Sequence, residues 1–280
     1  MTRQSKFSFS FLLSSMVLMG FLVLPAPAAT GHFEFSFHYG SWSVNLLKAA
    51  IEGVISDAVE GEFKDKFLED IQIDHPEYVE SGYSQTVGFE SGDSNFGGEI
   101  RWYPAGEMGS FSVGLAVEQT KMRFTLTEVS ADLELENTST HEKAAFNGTV
   151  NGEIMIKPLA FLLNVRWDIK PSWRVRPFIT FGLGVSTGSA IDKMTLSYSY
   201  AGDFSIPGET PEHYEDSAAK TGKELKDEME ADGEKFPLSV LPFLQLNFGL
   251  KAALTKNFSL WVEAGILDGF ILRGAIAARF

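Results

Sequence analysis

The sequence predicts an eight-stranded antiparallel up-and-down β-barrel that crosses a membrane. Three observations predict it. Eight segments alternate large apolar residues with small, polar or charged ones, the period-2 signature of strands. The connections between them are long at one end and mostly tight at the other, the asymmetry of membrane barrels. Aromatic residues gather near strand ends (Trp42, Trp102, Tyr103, Trp167, Trp173), where interfacial girdles form.

The first segment, 32–43, sets Phe33, Phe35, Phe37 and Tyr39 against Glu34, Ser36, His38 and Gly40. Segment 95–104 sets Phe96, Gly98, Ile100 and Trp102 against Gly97, Glu99, Arg101 and Tyr103. Segment 111–124 opposes Leu115 and Val117 to Gly114, Ala116 and Glu118. Segment 158–169 opposes Phe161, Leu163, Val165 and Trp167 to Asn164 and Arg166. The remaining four, 176–188, 243–254, 257–267 and 270–280, follow the same rule. They place Gly182, Gly184, Lys251, Glu263 and Arg273 on the second face. Large residues on one face and small or charged ones on the other suit a narrow lumen with lipid outside. An edge strand in hydrocarbon would leave backbone groups unpaired, so the sheet must close, last strand against first.

Three connections are long, 44–94, 125–157 and 189–242, and are expected on the extracellular side. The turn at Asp268-Gly269 is a strong hairpin signal. In the first long connection, Leu47, Ile51, Val54, Ile55, Ala58, Val59, Phe63 and Phe67 recur at helical spacing. Gly53 and Gly61 predict a kinked or split helix there, and Asn45 its N-cap. The acidic stretch 208–235 reads as a mobile, solvated loop. The second connection carries two alternating stretches that extend its hairpin beyond the barrel.

Residues 1–28 read as a signal peptide: Arg3 and Lys6, then "FSFSFLLSSMVLMGFLVL", then the A-x-A site Ala26-Pro27-Ala28. Losing Arg3 and Lys6 takes the net charge from −14 to −16. That charge disfavours nucleic-acid partners. With no cysteine, thiol catalysis, disulfides and zinc–thiolate sites are excluded. His32, His38, His75, His141 and His213 lack the H-E-x-x-H spacing of a metal site, so no metal or other cofactor is expected.

The chain, over 29–280, resembles the small eight-stranded outer-membrane β-barrels, the group that includes OmpA-, OmpX- and OmpW-type proteins. The sharpest shared element is "RGAIAARF", an alternating final strand ending in Phe280. The resemblance implies a bacterial outer-membrane location and contact with outer-membrane lipid and lipopolysaccharide. It also implies Phe280 as the signal read by the barrel assembly machinery.

Face parity puts Glu34, Glu99, Glu118 and Glu263 inside the barrel with Arg101, Arg166, Lys251 and Arg273. Four acids against four bases predict a charged, largely plugged lumen, because unpaired buried charge costs several kcal/mol. Glu263 is expected diagonal to Arg273 across the last hairpin. The function expected is therefore structural or interactive, without enzymatic activity. A narrow channel for small or hydrophobic solutes is the alternative, implied by the OmpW resemblance. A lipid-A-directed hydrolase using His38 with Ser36 or Ser41 ranks last, since no motif supports it.

Overall fold

The computed structural model describes residues 31–58, 64–106, 109–187, 189–231, 233 and 240–280. The leader expected at 1–28 lies outside them. Twelve strands form: β1 (His32–Ser43), β2 (Tyr78–Tyr103), β3 (Phe111–Thr120), β4 (Met122–Asn137), β5 (Lys143–Ile156), β6 (Leu159–Asp168), β7 (Val175–Ser186), β8 (Thr195–Ser205), β9 (Glu212–Thr221), β10 (Pro242–Ala253), β11 (Phe258–Ile266) and β12 (Phe270–Arg279). Helices α1 (Lys48–Ala58) and α2 (Asp65–Asp74) precede β2. A short α3 (Ser189–Asp192) and α4 (Gly222–Ala231) flank the β8–β9 hairpin.

Eight of the strands close a barrel in the order β1-β12-β11-β10-β7-β6-β3-β2, with β2 returning to β1. Each neighbouring pair is antiparallel. Apart from β2, these strands are 9–12 residues long, close to what a tilted strand needs to cross a bilayer. Among the described residues no helix is long and apolar enough to do so. The barrel is inside-out relative to a soluble protein: Phe37 on the outer face is 57% exposed, whereas Arg166 on the inner face is 2% exposed. Phe35, Leu115, Phe161, Leu163, Phe248, Val262 and Ile276 continue the exposed apolar belt. A contiguous belt of this kind needs lipid to cover it.

Closure runs to the last residue. Phe280 donates its N–H to the Phe33 carbonyl at 2.9 Å, and Phe33 returns the bond at 3.2 Å. Its exposed ring meets Phe35 edge-on, centroids 5.9 Å apart.

The long connections, expected as loops at 44–94, 125–157 and 189–242, contain much of the remaining sheet. β2 runs past the barrel rim and pairs there with β4. A second sheet follows in the order β2-β4-β5-β8-β9. Bulges between Glu80 and Gly82 and between Thr86 and Gly88 adjust β2. A further irregularity between Leu126 and Val129 switches the inward parity of β4, so that both residues face the same apolar layer. Helices α1 and α2 cover this layer. Ile71 and Leu68 pack with Tyr78, Leu133, Leu135, Phe146 and Phe204, and Ile55 with Val129 and Val150. The result is a folded head continuous with one side of the barrel wall.

Two local expectations change. Asn45 does not cap a helix: a 3-10 turn starts after Val44. The Asn45 side chain instead accepts from the Ser91 backbone N–H at 2.9 Å and the Ser91 hydroxyl at 2.8 Å. Glu52 likewise accepts from the Phe89 N–H at 3.2 Å. Phe89 and Ser91 lie two apart on β2, where the strand has left β1 behind, so side-chain oxygens stand in for the missing neighbour strand. The segment expected to be a mobile loop folds into β9 and α4, started by a capping box. Thr221 Oγ1 accepts from the Glu224 N–H at 3.3 Å, and Glu224 Oε2 from the Thr221 N–H at 2.6 Å. The division between α1 and α2 spans residues outside the described set, Val59 and Phe63 among them.

Candidate functional site

The barrel interior is where the chemistry collects, and strand parity puts it there. Several long side chains on the inner face gain room from a glycine on a neighbouring strand. Gly40 sits opposite Arg273, Gly97 opposite Glu118, Gly114 opposite Arg101, Gly182 opposite Asn164 and Gly249 opposite Glu263.

All eight charges named from the sequence lie on the inner face and are buried. They fall into joined groups. Near the tight-turn end, Lys251 Nζ donates to Glu34 Oε1 at 2.6 Å and to the Tyr103 hydroxyl at 3.1 Å. In the middle, Arg101 holds Glu99 through Nε at 3.2 Å and reaches the Ser112 hydroxyl at 3.1 Å. Asn164 donates to Glu99 at 2.8 Å. Above them, Arg273 bridges two acids, Glu263 through Nε at 2.6 Å and Glu118 through Nη1 at 2.7 Å. Asn247 donates to Glu263 at 3.0 Å, and Gln245 to Glu118 at 3.3 Å. Glu263 and Arg273 are direct cross-strand partners, not diagonal ones, because the loop between β11 and β12 keeps them in register.

Arg166 is the linker. Its guanidinium lies 4.1 Å over the Phe178 ring and 5.2 Å from the Trp261 ring. It stands 3.9 Å from Glu99 and 3.8 Å from Glu263, too far for direct hydrogen bonds. Two aromatic faces, with the Thr180 hydroxyl accepting from the Arg166 Nε at 3.1 Å, therefore hold this cation between the two carboxylates.

Toward the head the lining turns apolar. Trp42, Met122, Leu162, Phe243 and Ile271 cluster with Ala116 and Ala160, and Phe124, Ile156 and Leu241 pack on them. Trp42 meets Phe124 edge-on at 5.4 Å, and its indole N–H donates to the Asp268 carbonyl at 2.9 Å. Gly269 at φ +116° fits here on two counts: its backbone is left-handed, and a Cβ would lie 2.5 Å from the Trp42 indole nitrogen. The Asp268 carboxyl, in the turn above the strands, is pushed up to about 7 by burial, only partly offset by the Gln245 side chain.

Two residues expected in the interfacial girdle are interior instead. Trp42 belongs to this apolar seal, and Tyr103 lies inside against Lys251. Trp102, Trp167 and Trp173 are exposed at the tight-turn end. His38 is buried in the lumen, 3.3 Å from Arg273 Nη1 and 3.6 Å from Glu118 Oε1. Ser41 lies on the opposite face of β1, so the serine–histidine arrangement a hydrolase would need at the outer rim is not assembled from it. Among the described residues no group of three or more His, Asp or Glu is placed to hold a metal ion.

Asp168 and Arg279 join the interior although the sequence reading did not single them out. Arg279 reaches Glu34 at 3.3 Å. Asp168 is buried at the foot of β6. Both continue the parity of residues that were named, Arg166 and Arg273.

The chain folds as an eight-stranded membrane β-barrel. No protein-family model matches it, and no curated protein does. Among solved structures it is similar to Ail, the attachment invasion locus protein of Yersinia pestis, at 10% identity and a TM-score of 0.25. That match covers 89% of this chain and 99% of Ail. It is also similar to the transport unit of the autotransporter AIDA-I from Escherichia coli, at 7% identity and a TM-score of 0.18, covering 95% of this chain and 96% of that one. Similarity at this level leaves the barrel's own register and inverted faces as the grounds for its fold.

Proposed function

We propose that this chain is a non-enzymatic barrel of the bacterial outer membrane, closed to ion flow, whose role is to hold a folded acidic head on the cell surface. One observation carries the reading: the lumen is filled through its middle and at the end nearest the head. A buried ion-pair network occupies the middle, and the Trp42–Leu162–Phe243–Ile271 layer lies across the end nearest the head. An apolar layer of this kind resists wetting, and paired charges are not free to pass ions along. The head then faces outward, because tight turns face the periplasm in barrels of this type. The exposed belt meets outer-membrane lipid and lipopolysaccharide, and Phe280 serves as the assembly signal. Export by a leader cleaved after Ala28 fits this location.

Planar-bilayer recording of the refolded mature protein tests the closed lumen. The expected trace shows no stepwise conductance. Large, stable, single-channel steps would replace this reading with the narrow-channel one.

A further inference from the structure

We infer that the tight-turn end of the barrel holds a binding site for one phosphate-type oxyanion. The protein carries a net charge of −14, yet four cations converge here on one cavity. The cavity measures about 40 Å³ and is lined by Arg176, Lys251, Lys256 and Arg279, with Asn257 and Ser259 adding an amide and a hydroxyl. A single water needs only ~10–15 Å³ on such a measure, so the space is larger than one water requires.

The charges around it do not balance. Lys251 and Arg176 are direct cross-strand partners on the inner face of β10 and β7. Like charges placed so are destabilising. Glu34 is shared between Lys251 and Arg279, at 2.6 and 3.3 Å. Arg176 donates its Nε to the Trp173 carbonyl at 3.0 Å. Among the described residues neither Arg176 nor Lys256 forms an ion pair with a carboxylate. Asp168, the other acid side chain described at this end, stands opposite Phe178 on the far side of β7 from β10 and does not line the cavity. Among the described side chains, one carboxylate, Glu34, thus faces four cations. An oxyanion between them would relieve the Arg176–Lys251 repulsion and offer the Arg176 guanidinium the fork-shaped acceptor it suits. The exposed ring of Phe258 also lines the cavity, so it opens where the lumen meets the lipid-facing wall. That opening admits a phosphate from either side: the headgroup of a lipid in the adjoining leaflet, or free phosphate.

The test uses the full mature protein. Inorganic phosphate is titrated into the detergent-refolded barrel by calorimetry. Separately, nanodiscs of phosphatidylglycerol or phosphatidylcholine are loaded with it, and retained lipid is counted by native mass spectrometry. The expected result is one bound phosphate, or one phosphatidylglycerol retained in preference to phosphatidylcholine, weakened at least tenfold by Arg176→Gln. Phosphate binding without lipid preference assigns free phosphate, and the reverse assigns the headgroup. Lys256→Gln, in an exposed turn, should weaken the same binding about threefold and decides the matter should Arg176→Gln not fold. Wild-type protein that binds neither probe, or binding that both folded variants leave unchanged, overturns the site. Neither outcome bears on whether the lumen conducts.

Discussion

Replacing Arg273 by Met should be among the most damaging single changes in the barrel. Arg273 is the only cation hydrogen-bonded to Glu118 among the described residues, and it is the nearer of the two beside Glu263. Both carboxylates are buried. Breaking a buried pair by removing one partner costs roughly 3–5 kcal/mol, because the other charge is left uncompensated. Glu118 would keep only the amides of Gln245 and Asn95, at 3.3 and 3.5 Å. Glu263 would keep Asn247 at 3.0 Å and Arg166 at 3.8 Å, so its share of the loss is smaller. The sum is on the order of 5 kcal/mol, most of it from Glu118. Urea unfolding in detergent, followed by heat-modifiable gel migration and tryptophan fluorescence, reads this directly. The double variant Arg273→Met/Glu118→Gln should recover about half of the loss, since a neutral amide needs no cation. A single variant within about 0.5 kcal/mol of wild type, a surface-like effect, would refute the account. So would a double variant no better than the single.

Three further outcomes follow from other parts of the fold. Gly40→Ala should weaken the β1–β12 seam by about 1–3 kcal/mol, as overpacking does. A Cβ there would run into the Leu272 carbonyl oxygen and lie 2.6 Å from the Arg273 Cα, backbone atoms with no room to move; wild-type heat resistance in this variant would count against the close approach. Asn45→Ala should raise hydrogen exchange at the Ser91 amide and cost roughly 2 kcal/mol locally, about 1 for each lost bond; unchanged exchange would remove Asn45 as the cover of the β2 edge. Asp268 predicts a falling pH dependence. Its carboxyl titrates near 7 in the folded protein against an ordinary value of 3.8, so the folded state binds the extra proton between those values. Stability should therefore drop as pH rises from about 4 to 7, and Asp268→Asn should flatten the slope; a slope unaltered by the substitution would place the titrating group elsewhere.

The barrel wall was legible in the sequence because its signal is local. Alternation at period 2 fixes which side chains share a face, and Glu99, Arg101, Arg166 and Arg273 needed nothing more to be placed inside. What local pattern could not supply was height along the barrel axis. Trp42 and Tyr103 looked like girdle residues because they stand near strand ends, yet their parity is inward, and parity prevails. The head was harder. The β4–β5 hairpin was legible as two alternating stretches of the second connection, whereas the bulges on β2 break the alternation that would have marked the end of the first connection as sheet. The acidity of 208–235 hid β9 and α4, although Thr221-x-x-Glu224 spells a capping box in plain sequence. Asn45 was read as a cap because its partner, Ser91, lies 46 residues away. No local rule reaches that far.

β2 is a single strand of 26 residues that belongs to both sheets. The part above the barrel, Tyr78 to Gly92, spans about 50 Å at ~3.4 Å per residue. A tug on the head away from the membrane is therefore carried along the strand, not across a hinge. The ladder bonds to β1, β3 and β4 lie perpendicular to that direction, so they bear the load together in shear instead of unzipping one by one. The head is rigged as a mast stepped into the hull, and a mechanical pull on it arrives at the ring of strands in the membrane.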